Sequence, residues 1–192
     1  SALVSTVKIS VLTTLLTIIL SYPIAYSIVF SENRYSSVLI LLVIVPMLVG
    51  DVVRIFGWLI VMREEGIASQ ILSIFNIEYT LLKTEPGLVL ALTSILMPVA
   101  ILILLGSLYS IEKELIEAAH NLGGTRLQTF SYVTFPLSIS GVIGATLITY
   151  VLAMGTFATA IFIGMPQVPM LSPFVYNAAT TDLNWPLASA LS

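Results

Sequence analysis

A chain of 192 residues with 58% hydrophobic and only 9% charged side chains lies far from soluble domains, which carry about 25% charge. With a mean hydropathy of +1.06, it is expected to be a membrane protein of several spans, not a soluble globule, a disordered chain or a disulfide scaffold. A net charge of −3 without a long basic patch sets nucleic-acid binding aside. The lack of cysteine removes thiolate metal sites, iron–sulfur clusters and cysteine nucleophiles, and the single histidine, His120, gives a histidine metal site or catalytic triad no footing.

The apolar signal starts at once, with no charged region before a cleavage site, so no signal peptide is read. The chain stops inside another apolar stretch, Leu187, Ala188, Ala190 and Leu191. Residues 1–192 are therefore expected to be one transmembrane domain, an internal piece of a longer protein.

A span needs about 20 apolar residues, and four segments qualify. The first runs from Ala2 to Phe30 and is followed by the polar turn Ser31-Glu32-Asn33-Arg34. The second runs from Ser36 to Met62 and is interrupted by Asp51 and Arg54. A connection from Arg63 to Glu85 follows, with Glu64, Glu65, Glu78 and Glu85 and a short apolar stretch, Ile67 to Phe75. That stretch is too short to span and is read as an interfacial helix. The third span runs from Pro86 to Leu108 and the fourth from Pro136 to Gly164. Beyond it, Pro166, Pro169 and Pro173 turn the chain into a loop, Met165 to Pro186, where Trp185 sits like an interfacial aromatic.

Pro23, Pro46 and Pro98 lie inside spans, where kinks suit either a lined pathway or ordinary bent packing. Gly141, Gly144, Ala145, Ala153 and Gly155 suit close helix approach. Arg34, Lys113 and Arg126 balance Lys8, Arg63 and Lys83, so charge bias leaves orientation open. Asp51 and Arg54 stand three apart on one helix and can pair. Charges inside a span also mark pathways, so an ion pair and a pathway or partner contact both remain open.

The most polar stretch, Ser110 to Thr134, lies between spans three and four. A short helix is predicted over 112–122, stopped by Gly123-Gly124, because glycine accepts the left-handed conformation common at helix ends. Thr125 with Gln128 three residues on forms a capping-box pattern that opens a second helix. Pro136 fits the start of the next span. The result is a helix–turn–helix elbow across the membrane face. Its small residues Ala118 and Ala119 fit a docking surface, and a solvated connecting loop is the alternative.

Glu117-Ala118-Ala119, Gly123, Val133, Phe135 and Pro136 match, position by position, the EAA loop of permease subunits of binding-protein-dependent ABC importers. Arg54-Ile55-Phe56-Gly57-Trp58 resembles the Arg-x-aromatic-x-Trp stretch of the spermidine/putrescine-type permeases. Gly66 to Gln70 and Asn184 to Ala190 resemble other segments of that type more loosely. The resemblance implies an all-α polytopic membrane helix bundle with four complete spans, the start of another and a cytoplasmic EAA elbow, in the inner membrane of a prokaryote. It further implies that a first span and most of a last one are missing here.

By carry-over, Glu117, Ala118, Ala119 and Gly123 would dock a separate ATPase. Glu117 would hold the loop's geometry or reach a basic group of that subunit. His120 reads as a loop residue or a further contact. Asp51, Arg54 and Trp58 are candidates for contact with the pathway or the binding protein. The implied partners are ABC ATPase subunits, a second permease subunit, a solute-binding protein outside the membrane, and lipid. The chain has no phosphate loop of the Gly-x-x-x-x-Gly-Lys-[Ser/Thr] kind, so ATP and Mg²⁺ would sit on the ATPase partner and no cofactor on this chain. The cargo suggested by the resemblance is a polyamine or another small solute. An ATP-independent secondary transporter or channel is the competing class. An intramembrane enzyme is disfavoured, because the one histidine is in a polar loop away from any serine-rich span.

Overall fold

The computed structural model describes residues 2–30, 36–74 and 80–191. The expected turn Ser31 to Arg34, with its charges, and Phe75 and Glu78 lie outside them. The described residues form helices and connecting turns: α1 (Ala2–Phe30), α2 (Ser36–Leu48), α3 (Asp51–Met62), α4 (Ile67–Ile74), α5 (Glu85–Tyr109), α6 (Lys113–Asn121), α7 (Arg126–Thr129), α8 (Phe135–Met154), α9 (Leu171–Thr180) and α10 (Trp185–Leu191). Two π-helical turns, Phe130–Thr134 and Ala160–Gly164, complete the set.

Three helical stretches are long and apolar enough to cross a membrane: Ala2–Phe30, Glu85–Tyr109 and Arg126–Met154. The first and third expected spans thus match α1 and α5 within a residue or two. The second is not one rod. It is broken at Val49 and Gly50 into α2 and α3. Pro46 removes a backbone donor near the end of α2. Gly50 then takes an extended conformation, and its carbonyl accepts from the backbone N–H of Val53 and Arg54 to open α3.

The fourth span corrects the expected boundaries. Its helix starts at Arg126, ten residues before Pro136, and ends at Met154. Pro136 lies inside it. A proline there lacks an N–H and crowds the carbonyl four residues back. The chain responds with the π-helical turn just before, in which Phe135 N–H donates to the carbonyl of Phe130. The expected loop from Met165 to Pro186 also contains a helix, α9, with Pro173 at its third position, where a missing N–H costs nothing.

The helices group into two compact units. One comprises residues 1–15, 49–96 and 150–192. Its core is built from Ile9, Ile55, Met62, Leu88, Leu92, Ile163 and Met170. The chain reversals of this unit are tied by polar bonds. Lys83 N–H donates to the carbonyl of Ile163 over 2.8 Å, Leu171 N–H to Thr6 Oγ1 over 2.8 Å, and Ser172 Oγ to the carbonyl of Met154 over 3.0 Å. Gly66 is required at the α3–α4 turn, since a Cβ there would lie 2.3 Å from the carbonyl oxygen of Val61.

The other unit comprises residues 16–48 and 97–149. Its core gathers Tyr22, Ala25, Ile28, Val43, Ile101, Leu104, Leu108 and Ala145. Gly141 faces Ser107 so closely that a Cβ would fall 2.2 Å from the serine Cβ. The expected close approach is therefore met at Gly141, and Ala145 is fully buried.

Burial on α1 runs opposite to that of a soluble helix. Thr6, Ser10, Thr13, Thr14, Thr17 and Ser21 are buried, whereas Leu3, Val4, Leu12, Leu15 and Ile19 are exposed. In lipid, exposing aliphatic side chains costs nothing, while hydroxyls are best sequestered against other helices or their own backbone. Thr14 Oγ1 does the latter, donating to the carbonyl of Ser10 over 2.7 Å.

Candidate functional site

The elbow forms as the residues dictate. The α6 helix ends where Gly123 adopts φ +84°, the left-handed region that glycine enters without Cβ strain. Its N–H donates back to the carbonyl of His120, and Gly124 N–H donates to that of Ala119. The chain then re-enters a helix through a complete capping box. Gln128 N–H donates to Thr125 Oγ1, and Thr125 N–H donates to Gln128 Oε1 over 2.8 Å.

No residue of α6 is buried. At 100° per residue, its side chains divide into two opposed faces. Leu115, Ala118, Ala119 and Leu122 make one; Leu122 is 89% exposed. Lys113, Ile116, Glu117 and His120 make the other, and all four line a cleft of about 890 Å³. Its other lining residues are Tyr26, Val29 and Phe30 of α1 and Arg126, Leu127, Thr129 and Phe130. The structure thus separates the predicted group. Ala118 and Ala119 lie on the open face, Glu117 lies in the cleft with His120, and Gly123 sets the bend.

Sequence reasoning missed the aromatic cluster behind this elbow. Phe130, the first residue of the π-helical turn, stands 5.9 Å from Tyr22 and 5.5 Å from Tyr26, ring centre to ring centre, in edge-on geometry. Tyr26 also meets Phe30 at 4.9 Å, and Phe130 meets Phe135 at 6.1 Å. Tyr22 Oη and Ser138 Oγ share a hydrogen bond of 2.7 Å. Such pairs contribute about 0.5–1.5 kcal/mol each beyond burial, so the elbow's second helix is fastened to α1. The only trace in the sequence is the spacing of Tyr22, Tyr26 and Phe30 along one helix face.

The charges of the second apolar segment also come together. Arg54 Nη2 pairs with Asp51 Oδ1. Arg54 Nη1 donates to the carbonyl of Ile95 over 3.2 Å, and Trp58 Nε1 donates to Ser94 Oγ over 2.7 Å. Both acceptors lie in the turn of α5 just before Pro98, which cannot supply an N–H to the carbonyl of Ser94. Arg54 and Trp58 therefore hold α3 against α5 where the proline weakens the helix. The Arg54 side chain is 18% exposed and that of Asp51 72% exposed, so the carboxylate alone is open to solvent or solute.

Residues 10–191 match the family described as binding-protein-dependent transport system inner membrane component. The spermidine/putrescine transport system permease protein PotB of Haemophilus influenzae is 28% identical over 191 residues, covering 98% of this chain and 67% of that protein. The protein of the same name from Escherichia coli is 26% identical over 193 residues, covering 99% and 70%. Among solved structures, a bacterial ABC transporter that imports the acidic polysaccharide alginate superposes with a TM-score of 0.77 at 19% identity, covering 99% of this chain and 71% of that one. This likeness shows the fold. The family match spans nearly the whole chain, which therefore belongs to the inner-membrane components of binding-protein-dependent transport systems: it is a permease subunit of an ABC importer.

Proposed function

We propose that this permease is driven by a separate ATPase that docks on the open face of the elbow, and that Gly123, by fixing the bend, presents that face. One observation carries the reading. The elbow's second helix runs without a break into the membrane span, as a single helical stretch from Arg126 to Met154. A push on α7 therefore reaches the span through backbone hydrogen bonds, and α6 joins α7 through the tight turn held by Gly123, Gly124 and the Thr125 cap. The exposed Leu115, Ala118 and Leu122, with the half-buried Ala119 beside them, support docking over a solvated loop, since two leucines gain nothing from water. ATP and Mg²⁺ belong to the partner in this reading. A second permease subunit completes the pathway, and a solute-binding protein delivers cargo on the opposite side.

The cargo we propose is a polyamine or a similar small cation. The names of the relatives support it, and so does the exposed carboxylate of Asp51. The deciding experiment purifies the full-length protein from native membranes in mild detergent, as wild type and as Gly123→Trp. The expected result is an ATPase subunit that accompanies wild type and is lost from the variant. ATP-independent uptake by the full protein, with no ATPase in either sample, would instead favour a secondary transporter or channel.

A further inference from the structure

The cleft beneath the elbow holds chemistry that ATPase docking on the opposite face of α6 does not use. Lys113, His120 and Arg126 line it, and among the described residues none of them makes an ion pair. Among the described residues, Glu117 is the one acid in the lining. The permanent cations Lys113 and Arg126 outnumber it by one among those residues. Thr129 also lines the cleft; it is 4% exposed, and its Oγ1 has no hydrogen-bond partner among the described residues. A buried hydroxyl without a partner is costly, and a small side-chain rotation would offer it to the cleft. The remaining wall is aromatic and aliphatic, from Tyr26, Phe30 and Phe130. Phe30 ends the first span, so the cleft lies at headgroup depth.

We propose that this cleft binds the phosphodiester of a monoanionic phospholipid. Lys113 and Arg126 would hold the phosphate oxygens, Thr129 would donate a further hydrogen bond, and the aromatic wall would receive the upper acyl chain. One phosphodiester cancels the surplus charge, and basic pockets at the cytoplasmic ends of spans are suited to such headgroups. The proposal rests on the coupling reading only for the leaflet, which is the cytoplasmic one. A lipid held there would brace the elbow against the end of α1 and make transport depend on membrane composition.

The test uses the full-length permease with its partner subunits in mild detergent, offered equal amounts of phosphatidylglycerol and phosphatidylcholine. Native mass spectrometry counts the lipids retained. Wild type should keep phosphatidylglycerol in preference. Each surface cation changes lipid affinity by about fivefold, so Lys113→Gln with Arg126→Gln should weaken retention about 25-fold. Thr129→Val should weaken it about fivefold with no change of charge. Lys83→Gln, a cation that is not part of the cleft lining, should leave it unaltered. Equal retention of both lipids by wild type would overturn the proposal, as would wild-type retention by the cleft variants. If the double variant fails to assemble, Thr129→Val alone decides in the same way. Displacement of the lipid by excess inorganic phosphate would assign the site to the free anion instead. Loss of the ATPase from the double variant, with lipid retained, would show that an acidic group of the partner fills the cleft. Absence of the ATPase from wild type would count against the coupling reading alone, because lipid retention is read separately.

Discussion

At the scale of single residues, the glycines divide by what they do. Gly123 has open space around a hypothetical Cβ, so its requirement is purely conformational. Gly123→Ala should cost about 1 kcal/mol through the left-handed backbone, seen as a lower midpoint of thermal unfolding in detergent, together with reduced ATP-driven uptake. Gly141 is the opposite case, required by contact with Ser107. Gly141→Ala should lower stability by about 1–3 kcal/mol through overpacking. Adding Ser107→Gly should restore much of it, a coupling that a double-mutant cycle would read. Arg54 binds an exposed carboxylate and a backbone carbonyl at once. Arg54→Met should therefore cost about 1.5–3 kcal/mol, the range for charge-assisted hydrogen bonds. Asp51→Asn should cost under about 1 kcal/mol, because exposed ion pairs contribute little. If uptake of a cationic solute falls in Asp51→Asn while the unfolding midpoint holds, Asp51 serves the pathway; unchanged uptake leaves it a partner of Arg54 only.

At the scale of elements, the sequence is most readable where local chemistry decides. The limits of α5 follow from a charge-free apolar run after Glu85, and those of α1 from a largely apolar one in which Lys8 is the one charge. The elbow's bend and cap follow from Gly123, Thr125 and Gln128, whose requirements are met within a few residues. Thr125→Ala should accordingly remove about 1 kcal/mol, measurable as faster amide exchange in the first turn of α7. The pairing of Asp51 with Arg54 was equally legible, since their spacing brings them together on any helix. What depends on tertiary balance was not legible. Pro136 reads as a helix start, yet a π-helical turn absorbs the proline and lets the helix begin at Arg126. The second apolar segment reads as one span, although Pro46 and Gly50 divide it. The helix α9 is hidden by three prolines that mark a loop in sequence, although Pro166 and Pro169 precede it and Pro173 falls in its first turn, where no N–H is needed. Which face of α6, that of Glu117 or that of Ala118 and Ala119, turns to the cleft required the neighbours of α6, which no motif supplies.

At the scale of the whole molecule, helices with exposed aliphatic faces and buried hydroxyls describe a protein built for lipid. On the proposed coupling, its activity is expected only in a membrane and only with a separate ATPase. Reconstituted permease without that partner should show no ATP-dependent uptake, and adding the ATPase and binding protein should restore it. The uninterrupted stretch from Arg126 to Met154 has a mechanical corollary. Twenty-nine residues at 1.5 Å each make an arm about 43 Å long, whose far end meets a break in the helix at Gly155 and Thr156. If that break is the fulcrum, a tilt of about 5° sweeps the elbow through about 4 Å. A stroke of that size at the ATPase would become only a slight angular change within the bilayer, and the gearing would favour force over distance.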